Sequence, residues 1–578
     1  MKYPFLSELN TSREFIDVFR GYNHNLRIGD GEFYEMKNLS SNDYPILSPR
    51  PLRGVYATPA NPQGMVAKDT LCYVDGGDFI IGDDRVSMGL TADDTPKTLI
   101  SMGAYVIIMP DKKYINTADL SDYGSIEATV KTSTPVTFSL CKIDGAEYDD
   151  MVIQGTEPEN PKNMDLWLDT STTPNSLKQF SVTSGMWVSI ATTYIKIAAT
   201  GIGVPFSEGD GVSISGIESD ELADLNNTMI IQTKGDDYIV VIGILDQVRT
   251  QEAAVTVKRQ MPNMDFIIES KNRLWGCRYG LNVKGEMVNE LYACKLGDFK
   301  NWNCFMGAST DSYYVSVGTD GQFTGAITYL GYPLFFKENC VHKVYGDSLP
   351  FGVQDTACRG VQKGCSLSLA IVNETVYYKA RTAVCAYDGS LPVEISSALG
   401  DMSYSNAVAG ALGNKYYISM LDETEHYNLF VYDTLKGMWH REDDTRATQF
   451  CACRGDLYYI DNADKQIKTV RGTGTPDTTP IKWEAVTGVI GTDSPDKKYI
   501  SRLDVRMKLT MESRVNFLVQ YDSLDVWEPL FTMVGASLKS FSVPIRPRRC
   551  DHLQLKIVGE GDAKIYSICK TIEQGSDL

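Results

Sequence analysis

Residues 411–441, ALGNKYYISMLDETEHYNLFVYDTLKGMWHR, decide the fold. Alternating aromatic and apolar residues predict parts of four short strands, and Gly413-Asn414 and Leu435-Lys436-Gly437 predict two of the turns between them. The polar segment 422–426 predicts the third turn. Four short antiparallel strands form one small sheet, which cannot bury its apolar side chains alone. The sheet therefore needs packed neighbours on both faces.

Related units recur along the chain, each in the order apolar strand, short turn, aromatic strand, polar turn, apolar strand. They lie at Ile267–Phe305, Ala326–Tyr345, Leu369–Ile395 and Gln449–Val470, with further strand pairs from Met65 to Asn116. In the first of these units, Trp302 aligns with Trp439 of the opening stretch. Six or seven units at a period of about 40–46 residues predict an all-β chain built around a β-propeller. A solenoid or a row of β-sandwiches would lack this regularity of turns.

Changes of composition divide the rest of the chain. Residues 1–64 predict an extended N-terminal arm with one short helix, because Thr11–Glu14 is a capping-box pattern before the apolar segment Phe15–Phe19. The other predicted domains are the first propeller blades at 65–117, an inserted β-domain in one or two pieces at 118–262, the remaining blades at 263–472, and a C-terminal β-sandwich at 473–578. Asp220–Leu225 predicts a helical turn within the insert. The C-terminal region predicts about seven separate strands.

Charge and composition exclude several classes of protein. The net charge of −19 argues against nonspecific binding to nucleic acid or anionic membranes. The N-terminal residues contain no apolar segment typical of a signal peptide, and the longest apolar run, Tyr238–Leu245, is too short to span a membrane. We therefore expect a soluble protein made in a cytoplasm. The 13 cysteines are odd in number and form no C-x-x-C motif, so we expect buried, unbridged thiols.

Motifs that carry chemistry are scarce. No H-E-x-x-H, G-x-S-x-G, Walker A or dinucleotide-binding motif occurs, and the five histidines lack metal-ligand spacing. These histidines are His24, His342, His426, His440 and His552. The acidic pairs lie at predicted hairpin turns, which favours a structural role over catalytic carboxylates. The pairs are Asp75 with Asp78, Asp83 with Asp84, and Asp236 with Asp237. We predict no catalytic, cofactor-binding or metal-binding residues, no cofactor and no enzymatic activity.

Aromatic and basic side chains each allow two interpretations. Exposed aromatic rings can stack on sugars, but in propeller blades such rings usually pack between sheets, which we expect for Trp275, Tyr416 and Tyr417. Two basic clusters, Arg50–Arg53 and Arg546–Arg549, have the chemistry to contact nucleic acid. In a chain this acidic, ion pairs between domains or subunits are the favoured interpretation.

Three stretches resemble proteins of a known class. Residues 31–53, GEFYEMKNLSSNDYPILSPRPLR, and residues 544–577, PIRPRRCDHLQLKIVGEGDAKIYSICKTIEQGSD, resemble virion structural proteins of tailed bacteriophages and prophages. Residues 165–190, which contain Leu-Trp-Leu-Asp-Thr-Ser and Gly-Met-Trp-Val, are similar to short β segments of phage tail proteins. The overall plan also resembles the propeller-bearing tail nozzle or hub proteins of short-tailed phages.

This resemblance implies a structural viral tail protein located in the virion and made in the host cytoplasm. It implies a homo-oligomer, with a hexamer as the suggested copy number, that forms a ring-shaped nozzle or hub in the DNA-ejection conduit. The implied partners are the portal or adaptor, tail fibres or other tail proteins, and transiting DNA bound without sequence specificity, with no membrane-spanning segment. Two alternatives are a tail adhesin that binds glycans on the host surface and a propeller glycosidase.

Overall fold

The computed structural model describes residues 11–282, 285–493 and 496–574. These residues are mostly β-strands, with short 3-10 helices at Asp220–Leu225, Ser366–Ser368 and Ser397–Leu399. The first of these helices confirms the predicted helical turn in the insert. Seven groups of three or four antiparallel strands follow one another along the chain. Neighbouring groups make contact through their first strands, except that the 3-10 helix Ser366–Ser368 lies between the fourth and fifth groups, and the groups close into a ring. The central domain is therefore a seven-bladed β-propeller, as the repeated units predict.

The strands of each blade follow chain order. Blade 1 contains Pro62–Ala67, Leu71–Asp75, Asp78–Ile81 and Asp84–Ser87, and blade 2 contains Thr98–Met102, Tyr105–Met109, Lys113–Asn116 and Asp119–Ser125. Blade 3 contains Phe266–Ser270, Arg273–Leu281, Met287–Ala293 and Tyr313–Ser316, and blade 4 contains Gly325–Tyr329, Tyr332–Phe336, Cys340–Tyr345 and Gly352–Ala357. Blade 5 contains Ala370–Val372, Thr375–Lys379, Val384–Tyr387 and Val393–Glu394, and blade 6 contains Tyr404–Leu412, Lys415–Asp422, Tyr427–Asp433 and Met438–Asp443. Blade 7 contains Ala447–Cys453, Asp456–Asp461 and Ile467–Thr469.

Blade 7 takes its fourth strand, Gly54–Ala57, from the N-terminal arm. We call this segment the closing strand; it pairs with Ile467–Thr469 on one side and with Thr475–Pro476 on the other. Blade 7 also contacts blade 1, since Met65 N donates to Gln449 Oε1 (2.7 Å) and Gln449 Nε2 donates to Met65 O (3.0 Å). The ring is thus closed by strands from both ends of the propeller sequence.

Residues 411–441 lie in blade 6, where alternation along the strands explains the packing. Tyr416 and Tyr417 point to opposite faces of the sheet. Tyr416 packs on Tyr377 of blade 5, with ring centroids 5.4 Å apart, whereas Tyr417 joins a cluster with Phe450 of blade 7. Tyr416, Tyr417 and Trp275 are buried, so their predicted role in packing is confirmed.

Trp302 does not occupy the position that the sequence alignment predicts. Trp439 lies in the outer strand of blade 6, and its Nε1 donates to Ile395 O (2.7 Å). Trp302 lies in the loop before the outer strand of blade 3, and its Nε1 donates to Phe299 O (2.9 Å). The predicted equivalence of Trp302 and Trp439 is therefore wrong, because Trp302 lies in a long loop of blade 3 and Trp439 lies in a strand of blade 6.

The insert follows blade 2 and contains three sheets. One sheet contains Ala128–Lys131, Thr256–Arg259, Gly211–Ser215 and Thr228–Ile230, and a second contains Val136–Cys141, Tyr194–Ala198, Thr233–Gly235, Tyr238–Ile242 and Arg249–Gln251. A smaller sheet contains Met151–Gln154, Leu166–Asp169, Ser176–Ser181 and Met186–Ser189. Buried Asp210 pairs with Arg259 Nη1 (2.5 Å) and accepts from Asn301 Nδ2 (3.0 Å), which anchors the insert to blade 3.

From Lys482 onward, the strands of the C-terminal region belong to one continuous sheet that also includes arm strands and blade 6. The two halves of its long, bent hairpin share one apolar core, and we call this part of the sheet the sandwich. Its strands are Lys482–Thr487, Lys498–Tyr521, Glu528–Val543, Leu553–Glu560 and Ala563–Gln574. The first half of the long strand Lys498–Tyr521 pairs with Ala563–Gln574 and the second half with Leu553–Glu560, so the two halves of the sandwich share one hairpin. The prediction of seven separate strands is wrong, because bulged pairing lets Lys498–Tyr521 and Glu528–Val543 each continue through a bend.

The arm strands are Thr11–Ile16, Gly21–Tyr22, Glu32–Lys37, Leu39–Ser40 and Ser48–Pro49. The helix predicted in the arm is wrong, because Thr11–Ile16 pairs as a strand with Ala563–Gln574. Interstrand hydrogen bonding overrides a local capping pattern here. Glu32–Lys37 joins Lys482–Thr487 of the sandwich, and Gly21–Tyr22 joins the outer strand of blade 6. The arm therefore connects propeller and sandwich within one chain.

Two further expectations are confirmed. Arg50 and Arg53 form buried ion pairs with Glu442 and Asp443 of blade 6, the interdomain role predicted for that basic cluster. In the second basic cluster, Arg548 pairs with Glu528 (2.8 Å) inside the sandwich, so the predicted ion pair between domains is not the one that Arg548 forms. The cysteines are unbridged and mostly buried, and burial raises the pKa of several of them, such as Cys72 to about 12.

His440 makes stability depend on pH. This residue of blade 6 is 4% exposed, and burial, together with the Lys415 ammonium, lowers its pKa to about 3 against the opposing effect of Asp433. In the unfolded chain the pKa of a histidine is about 6.5. As pH falls below that value, the unfolded chain binds a proton that the folded protein does not bind, so the free energy of unfolding decreases.

We expect His440 to lower the free energy of unfolding by about 2 kcal/mol between about pH 7 and pH 5. His440→Gln should remove that part of the slope, because the amide does not titrate. Urea denaturation of both proteins at the two pH values measures the difference. Equal pH slopes in the two proteins would contradict this assignment.

Candidate functional site

A cavity of about 600 Å³ lies between the arm and the two halves of the sandwich. It is lined by the arm strand Thr11–Ile16, by residues 28–33, by residues 487–493 and by inward side chains of the sandwich strands. We call it the arm–sandwich cavity. It exists because segments from the two ends of the chain pair with each other.

Strand alternation decides which side chains face the cavity. From Thr11–Ile16 and Ala563–Gln574, the lining residues include Ser12, Glu14 and Ile16, and Ile568, Lys570 and Ile572. Lys570 thus holds an inward position between two isoleucines on the same face of its strand. A lysine at such a position needs a charged partner, because burial of an isolated ammonium is costly.

Lys570 is the centre of the charged cluster in this cavity. It is 3% exposed, and its Nζ lies 2.9 Å from Glu14 Oε2 and 2.7 Å from Asp30 Oδ1. The Glu14 and Asp30 side chains are 38% and 50% exposed, so they bridge the buried ammonium and the solvent. The two carboxylate oxygens cannot lie farther apart than the sum of these distances.

Backbone geometry shapes the rim around this cluster. Glu32 Oε2 accepts from Gly29 N at 2.7 Å, which holds the segment 28–32 in a tight turn. Gly31 has φ of +88°, and a Cβ there would lie 2.2 Å from Val18 O, so only glycine fits. On the opposite side, buried Lys498 donates to Gly491 O.

The remaining wall of the cavity is apolar. Six of its large side chains are Phe19, Phe33, Leu503, Phe517, Leu555 and Ile557. All six belong to the largest hydrophobic cluster of the chain, which continues into blades 4 to 6. The cavity therefore combines an apolar wall with a rim of acidic and basic side chains, the combination expected of a site for a small ligand.

The polar residues singled out from the sequence lie elsewhere. His342 and His440 are buried in blades 4 and 6. Asp75 and Asp78 pair with Arg85, and Asp237 Oδ1 accepts from Gly201 N (2.7 Å), so these carboxylates hold turns. Sequence reasoning missed Glu14, Asp30 and Lys570, although Lys570 carries one signal: a charged residue at an inward position of an alternating strand.

The centre of the propeller carries few ionisable groups. Among the first strands of the seven blades, all of which the structure describes, Glu269 is the only acidic residue. Its Oε1 accepts from Asn272 N (2.8 Å) in the following turn. No group of three or more His, Cys, Asp or Glu side chains in the described residues has the geometry of a metal site. Within those same residues, no helix is long and apolar enough to cross a membrane.

Comparisons with known proteins give weak structural likenesses. No family model matches the sequence, and no curated protein matches it. One similar solved structure is an exo-β-1,3-galactanase from Phanerochaete chrysosporium with β-1,3-galactotriose, at 8% identity and a TM-score of 0.22 over 53% of this chain and 94% of that one. Another is a GH43 glycoside hydrolase engineered for endo-xylanase and exo-arabinofuranosidase activity, at 8% identity and a TM-score of 0.20 over 54% and 96%. A third, titled glycoside hydrolase, has 12% identity and a TM-score of 0.20 over 52% and 96%.

These findings contradict two predictions. The structures named above are glycoside hydrolases and none is a phage tail protein, which contradicts the predicted tail nozzle or hub with its virion keywords and the predicted lack of enzymatic activity. We carry neither prediction forward. At these identities and TM-scores, the likeness assigns no activity to this chain. The resemblance to virion proteins, the predicted partners and the localisation stay predictions.

Proposed function

We propose that the chain binds a saccharide in the arm–sandwich cavity. The observation that supports this proposal is the Glu14–Lys570–Asp30 cluster set against an apolar wall. Carboxylates accept hydrogen bonds from sugar hydroxyls, and the ammonium donates to hydroxyl or ring oxygens. The C–H faces of a sugar ring pack on apolar and aromatic surfaces such as that of Phe33.

Charge and size narrow the class of ligand. Among the residues that the structure describes, four carboxylates line the cavity, at Glu14, Asp30, Glu32 and Asp493, against the two ammonium groups of Lys498 and Lys570. This excess of negative charge disfavours an anionic ligand and favours a neutral sugar or an amino sugar. A volume of about 600 Å³ lies within the usual range of small-ligand pockets.

Hydrolysis of the bound saccharide is a second candidate function. The specific observation in its favour is the pair of partly exposed carboxylates, Glu14 and Asp30, held close together by one lysine. Retaining glycosidases use two carboxyl groups about 5–5.5 Å apart as nucleophile and acid/base. The site therefore has the residue types for that chemistry as well as for binding.

Glu14→Gln and Asp30→Asn test the binding site. We expect each to weaken saccharide binding at least about tenfold, because a hydrogen bond to a charged group contributes about 1.5–3 kcal/mol. Isothermal titration calorimetry with the best ligand of a mono- and disaccharide panel measures the loss. Asp347→Asn, which removes one partner of an exposed ion pair with Lys271, is the matched control and should bind normally.

An assay for hydrolysis products, carried out with the saccharides of the same panel, distinguishes binding from hydrolysis. If the wild-type protein forms hydrolysis products and both cavity variants form none, the glycosidase function is supported. If the wild-type protein binds a saccharide without hydrolysing it, a binding function is supported. If no saccharide binds, or if the cavity variants bind as tightly as the control, the proposal fails.

A further inference from the structure

The strand Glu528–Val543 leaves a long sheet edge open. It has 16 residues and pairs with Lys498–Tyr521 on one side, and no other described strand pairs with it. The pairing is unbroken from Lys539 to Val543, so the backbone there is regular. Unpaired N–H and C=O groups along such an edge form a template for another strand. We call Glu528–Val543 the edge strand.

The edge strand lacks the protection that the propeller has. Proteins usually shorten, charge or cover free edges. The outer strands of blades 1 to 5 have between two and seven residues. In contrast, residues 535–543 contain a single charge, at Lys539, and no proline. Val534 and Leu538 remain 63% and 43% exposed, so the edge is both open and partly apolar.

We propose that a second copy of this chain pairs with the edge strand, antiparallel across a two-fold axis. A two-fold axis brings the same segment of each copy together, so the interface must be complementary to itself. Pairing centred on Ser540 places Lys539 opposite Phe541 of the partner subunit, and the two lysines do not face each other. Within the chain, Lys539 Nζ already lies 4.9 Å from the centroid of the Phe541 ring, a favourable cation–π distance.

The distribution of charge favours a second copy at this place. Residues 473–578 contain 14 basic and 14 acidic side chains, so this region is neutral, and the net charge of −19 belongs to the rest of the chain. Two copies that meet through their sandwiches keep their acidic propellers and inserts apart, which limits electrostatic repulsion. An unrelated peptide on this edge is the alternative that the experiment separates.

Sedimentation equilibrium of the full chain tests this proposal. We expect a mass of twice 64.1 kDa that dissociates on dilution. Leu538→Lys combined with Ser540→Lys adds two charges per copy at exposed positions, which leaves the fold intact and raises the dissociation constant at least about tenfold. Val393→Lys, at an exposed position of blade 5, is the matched control and should leave the mass doubled.

Hydrogen exchange identifies the contact. The amides of Lys539–Val543 should exchange slowly in the wild-type protein and faster in the double variant, while those of blade 5 stay unchanged. A monomeric wild-type protein would overturn the proposal. The same holds if the amides of the edge strand become protected from exchange only when another protein is added. An oligomer that the double variant leaves intact would also overturn it.

Discussion

Replacement of Arg53 by Met is expected to destabilise the protein by about 3–5 kcal/mol, the usual cost of breaking a buried ion pair. The Arg53 side chain is 11% exposed and contacts Glu442 Oε2 and Asp443 Oδ2, each at 2.9 Å. Its Nη1 also donates to Thr445 Oγ1 (2.7 Å). Without Arg53, the ion pairs that remain to the two carboxylates are the longer ones with Arg50, at 3.9 and 3.4 Å.

The same substitution should reduce the part of the acid sensitivity that comes from Asp443. Burial alone raises the pKa of Asp443, but Arg53 and Arg50 outweigh that effect and hold the pKa below its ordinary value. A lowered folded pKa stabilises the protein above the unfolded value of about 3.9 and loses that contribution as pH falls further. Arg53→Met removes the stronger partner, so the pKa of Asp443 rises in the variant. The difference in stability between the variant and the wild-type protein should therefore be largest at neutral pH and should narrow as pH falls below about 3.9.

Chemical denaturation of both proteins at neutral pH and below about pH 3.9 measures both effects. Glu394→Gln is the matched control, since its pair with Arg359 is exposed and should contribute less than about 1 kcal/mol. If Arg53→Met is no more harmful than this control, the arm is not anchored by its buried ion pairs.

Val55→Pro is the second substitution with a large expected effect, at least about 3 kcal/mol. Val55 lies in the closing strand opposite Lys468 on one side and Thr475 on the other. Because both sides of the strand are paired, proline removes a donor from one ladder and leaves a partner carbonyl unsatisfied. Blade 7 should then lose its outer strands.

Hydrogen exchange in Ile467–Thr469 and the midpoint of thermal unfolding measure this loss. Val55→Ala is the control, because it trims the half-buried side chain and keeps the backbone donor. We expect fast exchange throughout blade 7 in the proline variant and near-normal exchange in the alanine variant. Equal stability of the two variants would mean that the closing strand does not hold the ring together.

Local patterns predicted much of the propeller. The strand and turn pattern of residues 411–441 recurs in blades 3, 4, 5 and 7, and strand periodicity depends on residues adjacent in sequence. The same reasoning failed at Thr11–Ile16, where local propensity favoured a helix and pairing with Ala563–Gln574 produced a strand. It failed again at Trp302, because a long loop changed the spacing within blade 3.

Sequence patterns did not predict the candidate site. Glu14, Asp30 and Lys570 match no motif. Glu14 and Asp30 both belong to the arm, whereas Lys570 lies near the other end of the sequence. Their spacing depends on how the arm strands add to the sandwich, and that pairing involves the two ends of the chain. The one signal in the sequence is the alternation of side chains around Lys570, which indicates that this charged residue faces the interior.

The sequence by itself determined the β class, the repeated blades and the packing role of the aromatic residues, because these follow from alternation and turns over short segments. The tertiary structure alone decided how the ring closes, where the arm is anchored and where the cavity forms. The closing strand, the Arg53 ion pairs and the Lys570 cluster each join segments that are hundreds of residues apart. Such contacts depend on the folded path of the whole chain, which no local pattern records.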